Sequence, residues 1–266
     1  SPLATVGNTQ KPDITAAKLL EGRVAIFCDG TPHVLTVPNL FIENVQSPED
    51  YYSRIYIASF LRIIRLLSFA ISILLPALYV ALSTYHQEMI PTVLLVTMAG
   101  AREGIPLPAL AEAFLMVVMF ELLRESGTRL PRPIGSAISI VGALVIGEAA
   151  VNAGLVSAPM VIVVAATAVA SFVVPALTEV MTIYRFILLF LGGMMGLYGI
   201  TCGVFVMVIH AVSLRSFGVP YTSPMTPLNL NGMKDYGLRF PLWSMIKRPD
   251  SIVKGNKKRR GNKGRK

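Results

Sequence analysis

Four glutamates stand in or at the ends of long apolar segments: Glu112, Glu121, Glu148 and Glu179. In hydrocarbon, an ionised carboxylate costs several kcal/mol unless it faces water or a partner. Glutamates supplied by several subunits can form a ring that attracts cations. These four positions are therefore candidates for a cation pathway through a membrane.

Ion pairing is the alternative role for such carboxylates. Glu121 lies three residues before Arg124, and Glu125 lies four before Arg129, which are spacings at which side chains meet on a helix. The sequence predicts both pairs. Glu148 has no arginine within one helical turn, so it either faces water or another subunit, or is held by structural hydrogen bonds.

Two more charged residues, Arg102 and Glu103, lie at a break between short apolar segments. They either bind an ion or a partner, or neutralise one another.

Small or hydroxylated residues recur between residues 135 and 153 at three- and four-residue spacing along one helical face. These residues are Gly135, Ser139, Gly142, Ala149 and Ala153, and Ile146 completes the spacing. It predicts either close helix packing or a narrow pore wall with an apolar gate at Val145 or Ile146. The pore or gate candidates are Ser139, Gly142, Val145, Ile146 and Glu148.

A second small-residue stripe consists of Gly192, Gly196, Gly199 and Gly203. On a continuous helix these glycines share one face, so we expect that face to pack against a neighbouring helix.

The sequence offers no signature of an enzyme, a metal site or a cofactor site. His33, His86 and His210 have no second ligand at metal spacing, and Cys28 and Cys202 are the only cysteines. We expect no catalytic residue, no bound metal and no cofactor.

Composition indicates a membrane protein, because 53% of the 266 residues are hydrophobic and only 15% are charged. Soluble domains carry about one quarter charged residues. The region from residue 66 to residue 214 is a succession of apolar runs long enough to cross a bilayer core of about 30 Å. We predict an all-α polytopic fold with four to five transmembrane helices.

The span count depends on residues 90–123, where Pro106 and Pro108 separate two apolar runs. If the second run crosses the membrane, there are five spans; if both runs form a re-entrant hairpin, there are four. Basic residues favour the cytoplasmic side. Residues 215–266 hold 13 Lys and Arg against two acidic residues, which favours an even count with both ends cytoplasmic.

The remaining chain divides into two soluble parts. Residues 1–53 are predicted to be the C-terminal remainder of a small α/β cytoplasmic domain, with a helix over 13–21 and a hairpin of strands 24–28 and 33–37. The transmembrane domain covers 54–214, and 215–266 is a basic cytoplasmic tail. The net charge of +9 comes from this tail. Binding to an anionic membrane surface is favoured over nucleic acid, and a solvated tail is the other alternative.

Several long motifs resemble the A-subunit family of bacterial spore germinant receptors. They are residues 18–26 (KLLEGRVAI), 29–32 (DGTP), 47–52 (SPEDYY), 101–106 (AREGIP), 120–125 (FELLRE), 130–133 (LPRP) and 139–150 (SIVGALVIGEAA). The resemblance covers residues 12 to 249, and the family usually has a larger N-terminal cytoplasmic domain.

This resemblance implies a subunit of the inner spore membrane that works with a polytopic B subunit and a lipoprotein C subunit. Its A subunits would oligomerise around a pore and release cations when the complex senses nutrients. The alternatives are an ion-coupled transporter, which the break near Pro106 also fits, and a non-conducting assembly or signalling subunit such as a sporulation-stage paralogue.

Overall fold

The computed structural model describes residues 2–129, 142, 145–229, 232–241 and 252. The chain divides into two compact units, one formed by Ser1–Leu67 and Val206–Lys266 and the other by Ser68–Phe205.

The first unit begins with a small antiparallel sheet and a helix. The elements are β1 (Gly7–Thr9), α1 (Pro12–Leu20), β2 (Val24–Phe27) and β3 (Val34–Val37), with strand order β1-β3-β2. Gly22 ends α1 at φ +90°, a conformation that glycine adopts without a steric penalty. The predicted helix and both strands of the hairpin are present, with ends that differ by one residue. Strand β1 was not predicted.

Residues from the far end of the chain complete this unit. A second hairpin is formed by β4 (Arg215–Ser216) and β5 (Val219–Pro220). The Asn39 amide donates to Ser216 Oγ at 3.1 Å, and the Phe41 amide donates to the Tyr221 carbonyl at 3.0 Å. The first part of the segment expected as a tail therefore folds with the N-terminal residues. The basic cluster at 257–266 lies outside the described residues.

The second unit consists of apolar helices. They are α3 (Ile55–Thr84, which begins in the first unit after the short α2, Glu49–Tyr52), α4 (Thr92–Arg102), α5 (Ala109–Arg129), α6 (described over 145–152), α7 (Ala158–Val173) and α8 (Thr178–Ser213). The core contains side chains from α3, α5, α7 and α8, including Val80, Val117, Met160 and Leu189. Within the described ranges, Ile55–Thr84 and Pro175–Ser213 are long and apolar enough to cross a membrane. This largely helical fold agrees with the predicted class.

Contacts within this unit give the helix directions. Arg185 of α8 binds Ser72 of α3. Further along both helices, the Tyr85 hydroxyl, just after α3, contacts the Gly193 carbonyl of α8. Helix α3 and the first half of α8 therefore run in the same direction. Glu121, late in α5, binds Arg185, early in α8. Leu110, early in α5, lies where a Cβ at Gly193, later in α8, would contact it. Helix α5 therefore runs opposite to the first half of α8.

The remaining helices follow the same alternation. Ser157, at the start of α7, binds Glu112 of α5, and Phe172, near the end of α7, packs against Phe120, later in α5. Helix α7 is therefore parallel to α5. A Cβ at Gly142 would contact Leu123, and one at Gly147 would contact Val161, so α6 is antiparallel to both.

The last apolar segment differs from the continuous helix that the glycine pattern suggested. Gly196 has φ 61° and ψ −145°, which breaks α8 into residues 178–195 and 197–213. A Cβ at Gly192 would lie 3.2 Å from Ile200, and one at Gly203 would lie 2.6 Å from Leu188, so the chain folds back on itself. At 1.5 Å per residue each half is about 26 Å long. The predicted counts of four or five spans treated this hairpin as one pass.

Candidate functional site

The most extensive polar cluster inside the apolar unit surrounds Arg185, which is fully buried. Its Nη1 donates to Glu121 Oε1 at 2.9 Å, and its Nε and Nη2 donate to the carbonyl and hydroxyl oxygens of Ser72 at 2.8 and 2.9 Å. Arg124 Nη2 lies 2.6 Å from Glu121 Oε2. One carboxylate thus pairs with two guanidinium groups from two helices, and the cluster keeps a net positive charge.

Thr182 completes this cluster by bridging its charged groups. Its hydroxyl accepts from Arg124 Nη1 at 3.2 Å and donates to Glu121 Oε1 at 3.1 Å. The pair predicted between Glu121 and Arg124 is therefore present. Glu125 and Arg129 also pair, at 2.5 Å, on the exposed side of α5. Arg185 was missed in the sequence, although a lone arginine flanked by the apolar residues of α8 was the available signal.

A second polar cluster surrounds Glu112, which is also fully buried. Its Oε1 accepts both the amide and the hydroxyl of Ser157, the residue that precedes α7. The negative charge therefore lies at a helix N-terminus, where the macrodipole stabilises it. Arg102 Nε is 3.8 Å from Glu112 Oε2, an ion pair too long to be a hydrogen bond. Arg102 thus pairs with Glu112, and Glu103 is exposed.

Three of the pore and gate candidates, Val145, Ile146 and Glu148, lie on the described part of α6. Glu148 is exposed and has no ion pair or hydrogen bond with any described residue, Val145 is 54% exposed, and Ile146 and Gly142 are half-buried. Ser139 lies outside the described residues. Glu179 is exposed in the first turn of α8, a position that suits a negative charge.

The four glycines of the second stripe, Gly192, Gly196, Gly199 and Gly203, are buried. A Cβ at Gly199 would clash with the Leu191 carbonyl, and one at Gly192 would lie 3.0 Å from the Ala77 carbonyl of α3. The glycines therefore permit close backbone approach within the α8 hairpin and against α3. The Tyr85 hydroxyl lies 2.9 and 3.1 Å from the carbonyl oxygens of Gly193 and Met194, just before the break at Gly196, and can donate its hydrogen to either.

The first unit contains a third charged cluster, which the sequence did not reveal. Asp50 is 1% exposed and accepts two hydrogen bonds from Arg65, both at 2.8 Å, and one from Arg62 at 3.1 Å. Burial alone would raise the pKa of Asp50, but the hydrogen bonds from Arg65 and Arg62 outweigh it and hold the pKa below its usual range. Arg62 also binds Asp235 at 2.7 Å.

Tyr51 lies at the centre of this third cluster. Its hydroxyl donates to Asp235 Oδ2 at 2.6 Å, and the guanidinium groups of Arg62 and Arg239 lie 5.6 and 5.5 Å from its ring centroid. Arg239 also donates to the carbonyls of Asp50, Tyr51 and Ser53 at the end of α2. Burial raises the pKa of Tyr51, and the adjacent Asp235 carboxylate raises it further, so the phenol stays neutral.

These clusters can fix helix positions and hold charge inside an apolar protein. In the described part of the chain, no group of three His, Cys, Asp or Glu residues could hold a metal ion. Of the four candidate carboxylates, Glu148 and Glu179 are exposed, and Glu148 lies inside an apolar segment, whereas Glu179 lies at the start of α8.

Comparison with known proteins places the chain among spore germination proteins. The profile described as the Bacillus/Clostridium GerA spore germination protein family matches residues 1–251. Spore germination protein KA of Bacillus subtilis (strain 168) is 54% identical over 259 residues, which are 97% of this chain and 48% of that protein. The uncharacterized membrane protein YfkQ of the same strain is 47% identical over 268 residues, 100% of this chain and 52% of that protein.

A third relative, spore germination protein A1 of the same strain, is 43% identical over 244 residues, 91% of this chain and 51% of that protein. The chain therefore spans about half the length of these relatives. No solved structure matches it.

Proposed function

The chain belongs to the GerA family of Bacillus and Clostridium spore germination proteins, and from this premise we propose that it is the membrane part of a germinant-receptor A subunit. In this proposal several copies assemble into a nutrient-gated ion channel in the inner spore membrane, which releases cations at the start of germination. A polytopic B-type subunit and a lipoprotein C-type subunit are the proposed partners.

The observation that carries the channel proposal is the position of Glu148. It lies one turn from the end of the described part of α6, with Val145 exposed three residues earlier on the same side, while Gly147 packs against α7. A carboxylate facing lipid is unfavourable, with a cost that reaches about 2.5–3.5 kcal/mol at the centre of a membrane helix. Facing a water-filled axis between copies removes that cost and creates a ring of acids that attracts cations.

The helix directions support an even number of membrane crossings. Six helical segments alternate in direction along the chain: α3, α5, α6, α7 and the two halves of α8. They would make six passes through the membrane. Helix α4 is a short segment between the first two. Residues 1–67 and 206–266 belong to one compact unit. Both observations support two ends on one side of the membrane, and the basic tail favours the cytoplasmic side.

Ion flux through the reconstituted full-length protein tests this proposal. Purified protein in liposomes should conduct monovalent cations, and Glu148→Gln should lower the cation conductance several-fold because the ring loses its charge. Val145→Ala should increase the resting leak because a narrow apolar gate becomes wider. Glu88→Gln, in the exposed turn after α3, is the matched control and should leave both quantities unchanged.

The outcomes separate the three candidate functions. Steady conductance that depends on Glu148 supports the channel. Saturable uptake of one solute driven by an ion gradient would instead indicate a transporter, and no flux in any variant would indicate an assembly or signalling subunit.

A further inference from the structure

Proline interrupts the hydrogen bonding of α3 at residue 76, inside the helix and near its C-terminal end. Proline has no amide hydrogen, so the carbonyl four residues earlier, that of Ser72, loses its usual helical donor. Within a membrane an unsatisfied carbonyl costs several kcal/mol, and neighbouring groups normally replace the missing donor.

The replacement donor in this protein is Arg185 of α8. Its Nε donates to the Ser72 carbonyl at 2.8 Å, and its Nη2 donates to the Ser72 hydroxyl at 2.9 Å. The third nitrogen, Nη1, binds Glu121 of α5 at 2.9 Å. A single buried guanidinium therefore joins the free carbonyl of α3 to a carboxylate that also holds Arg124.

Close packing also holds α3 against α8 beside Pro76. Gly192 of α8 lies opposite the residue after the proline, since its added Cβ would sit 3.0 Å from the Ala77 carbonyl. Ser72 and Ala77 are both fully buried. The backbone around Pro76 is thus held by hydrogen bonds at Ser72 and by contact at Ala77, both from α8.

We infer that Arg185 is a conformational lock that fixes the backbone of α3 at Pro76. The planar guanidinium is required because three donors must point in different directions at once, which an ammonium group at the end of a lysine cannot do in the same geometry. This inference is independent of ion conduction, because it concerns only the course of α3.

A distance measurement across Pro76 tests the lock. Spin labels at Ile71→Cys and Thr84→Cys, both exposed, would flank Pro76 at about 20 Å, with Cys28 and Cys202 replaced by serine. In the full-length protein we expect one narrow distance distribution. Arg185→Met should broaden it, and adding Pro76→Ala should narrow it again, because an alanine at this position supplies the missing amide hydrogen to the Ser72 carbonyl.

Thermal unfolding of the same variants provides the second readout. Arg185→Met should lower the thermal midpoint of the protein that keeps Pro76. In a protein that also carries Pro76→Ala, the same change should lower the midpoint by about half as much or less. Ser72→Ala, which removes only the hydroxyl, is the mild control. If Arg185→Met does not fold, Arg185→Lys keeps the charge beside Glu121 and should still broaden the distribution.

An unchanged distribution in a folded Arg185 variant, or equal losses of thermal midpoint in both backgrounds, would overturn the lock. Neither readout measures flux, so its result does not depend on whether the protein conducts ions.

Discussion

Replacing Asp50 with asparagine should destabilise the protein by about 3 kcal/mol. The carboxylate accepts three hydrogen bonds from Arg62 and Arg65 and is almost completely buried. Breaking a buried ion pair by removing one partner costs about 3–5 kcal/mol. We expect the lower end because Arg62 keeps its pair with Asp235 and, among the described residues, Arg65 keeps the Val45 carbonyl at 3.3 Å.

The assay is unfolding of the full-length protein in mixed micelles by titration with a denaturing detergent, which gives the free energy of unfolding for each variant. Asp29→Asn is the matched control, because Asp29 is exposed in the turn between β2 and β3, and its replacement should change stability by less than about 0.5 kcal/mol. If Asp50→Asn and Asp29→Asn had equal effects, the cluster would contribute nothing and our account of it would be wrong.

Three further predictions concern other positions. Gly196→Ala should lower the thermal midpoint more than Gly104→Ala, because both glycines have positive φ but only a Cβ at 196 would meet a neighbour, at 2.8 Å from His86. Glu112→Ala should lower the free energy of unfolding by about 3 kcal/mol in the same detergent titration, since it leaves the buried amide of Ser157 without its acceptor. The depressed pKa of Asp50 gives stability that is present above the unfolded value of about 3.9 and is lost as pH falls through the lower folded value. Unfolding midpoints measured below pH 4 should therefore fall more steeply for the natural protein than for Asp50→Asn.

Local patterns in the sequence were sufficient to predict the N-terminal helix and hairpin. Gly22 and the Asp29-Gly30 pair determine where the chain turns, and such signals act over a few residues. The pairs Glu121–Arg124 and Glu125–Arg129 were predictable for the same reason, because helical spacing alone brings them together.

Long-range pairing explains what the sequence did not reveal. Asp50 and Asp235 are 185 positions apart and share Arg62, and no local pattern indicates that the segment after α8 returns to the N-terminal residues. Arg185 finds Ser72 at a separation of 113 residues. The glycines of α8 were recognised as packing residues, but their periodicity fits a straight helix as well as a hairpin. Only the backbone at Gly196 distinguishes the two.

The carboxylates in the apolar region now differ in what they can do. Glu112 and Glu121 each bind side chains or amides of the same subunit, so neutralising either carboxylate should mainly lower the stability of the fold. Glu148 has no such partner among the described residues, so neutralising it should cost little stability in the isolated subunit and act mainly on what passes between copies. A Glu148→Gln variant that lost stability as Glu112→Ala does, while conductance per folded protein stayed constant, would place the acid in a structural role and remove the main support for the pore.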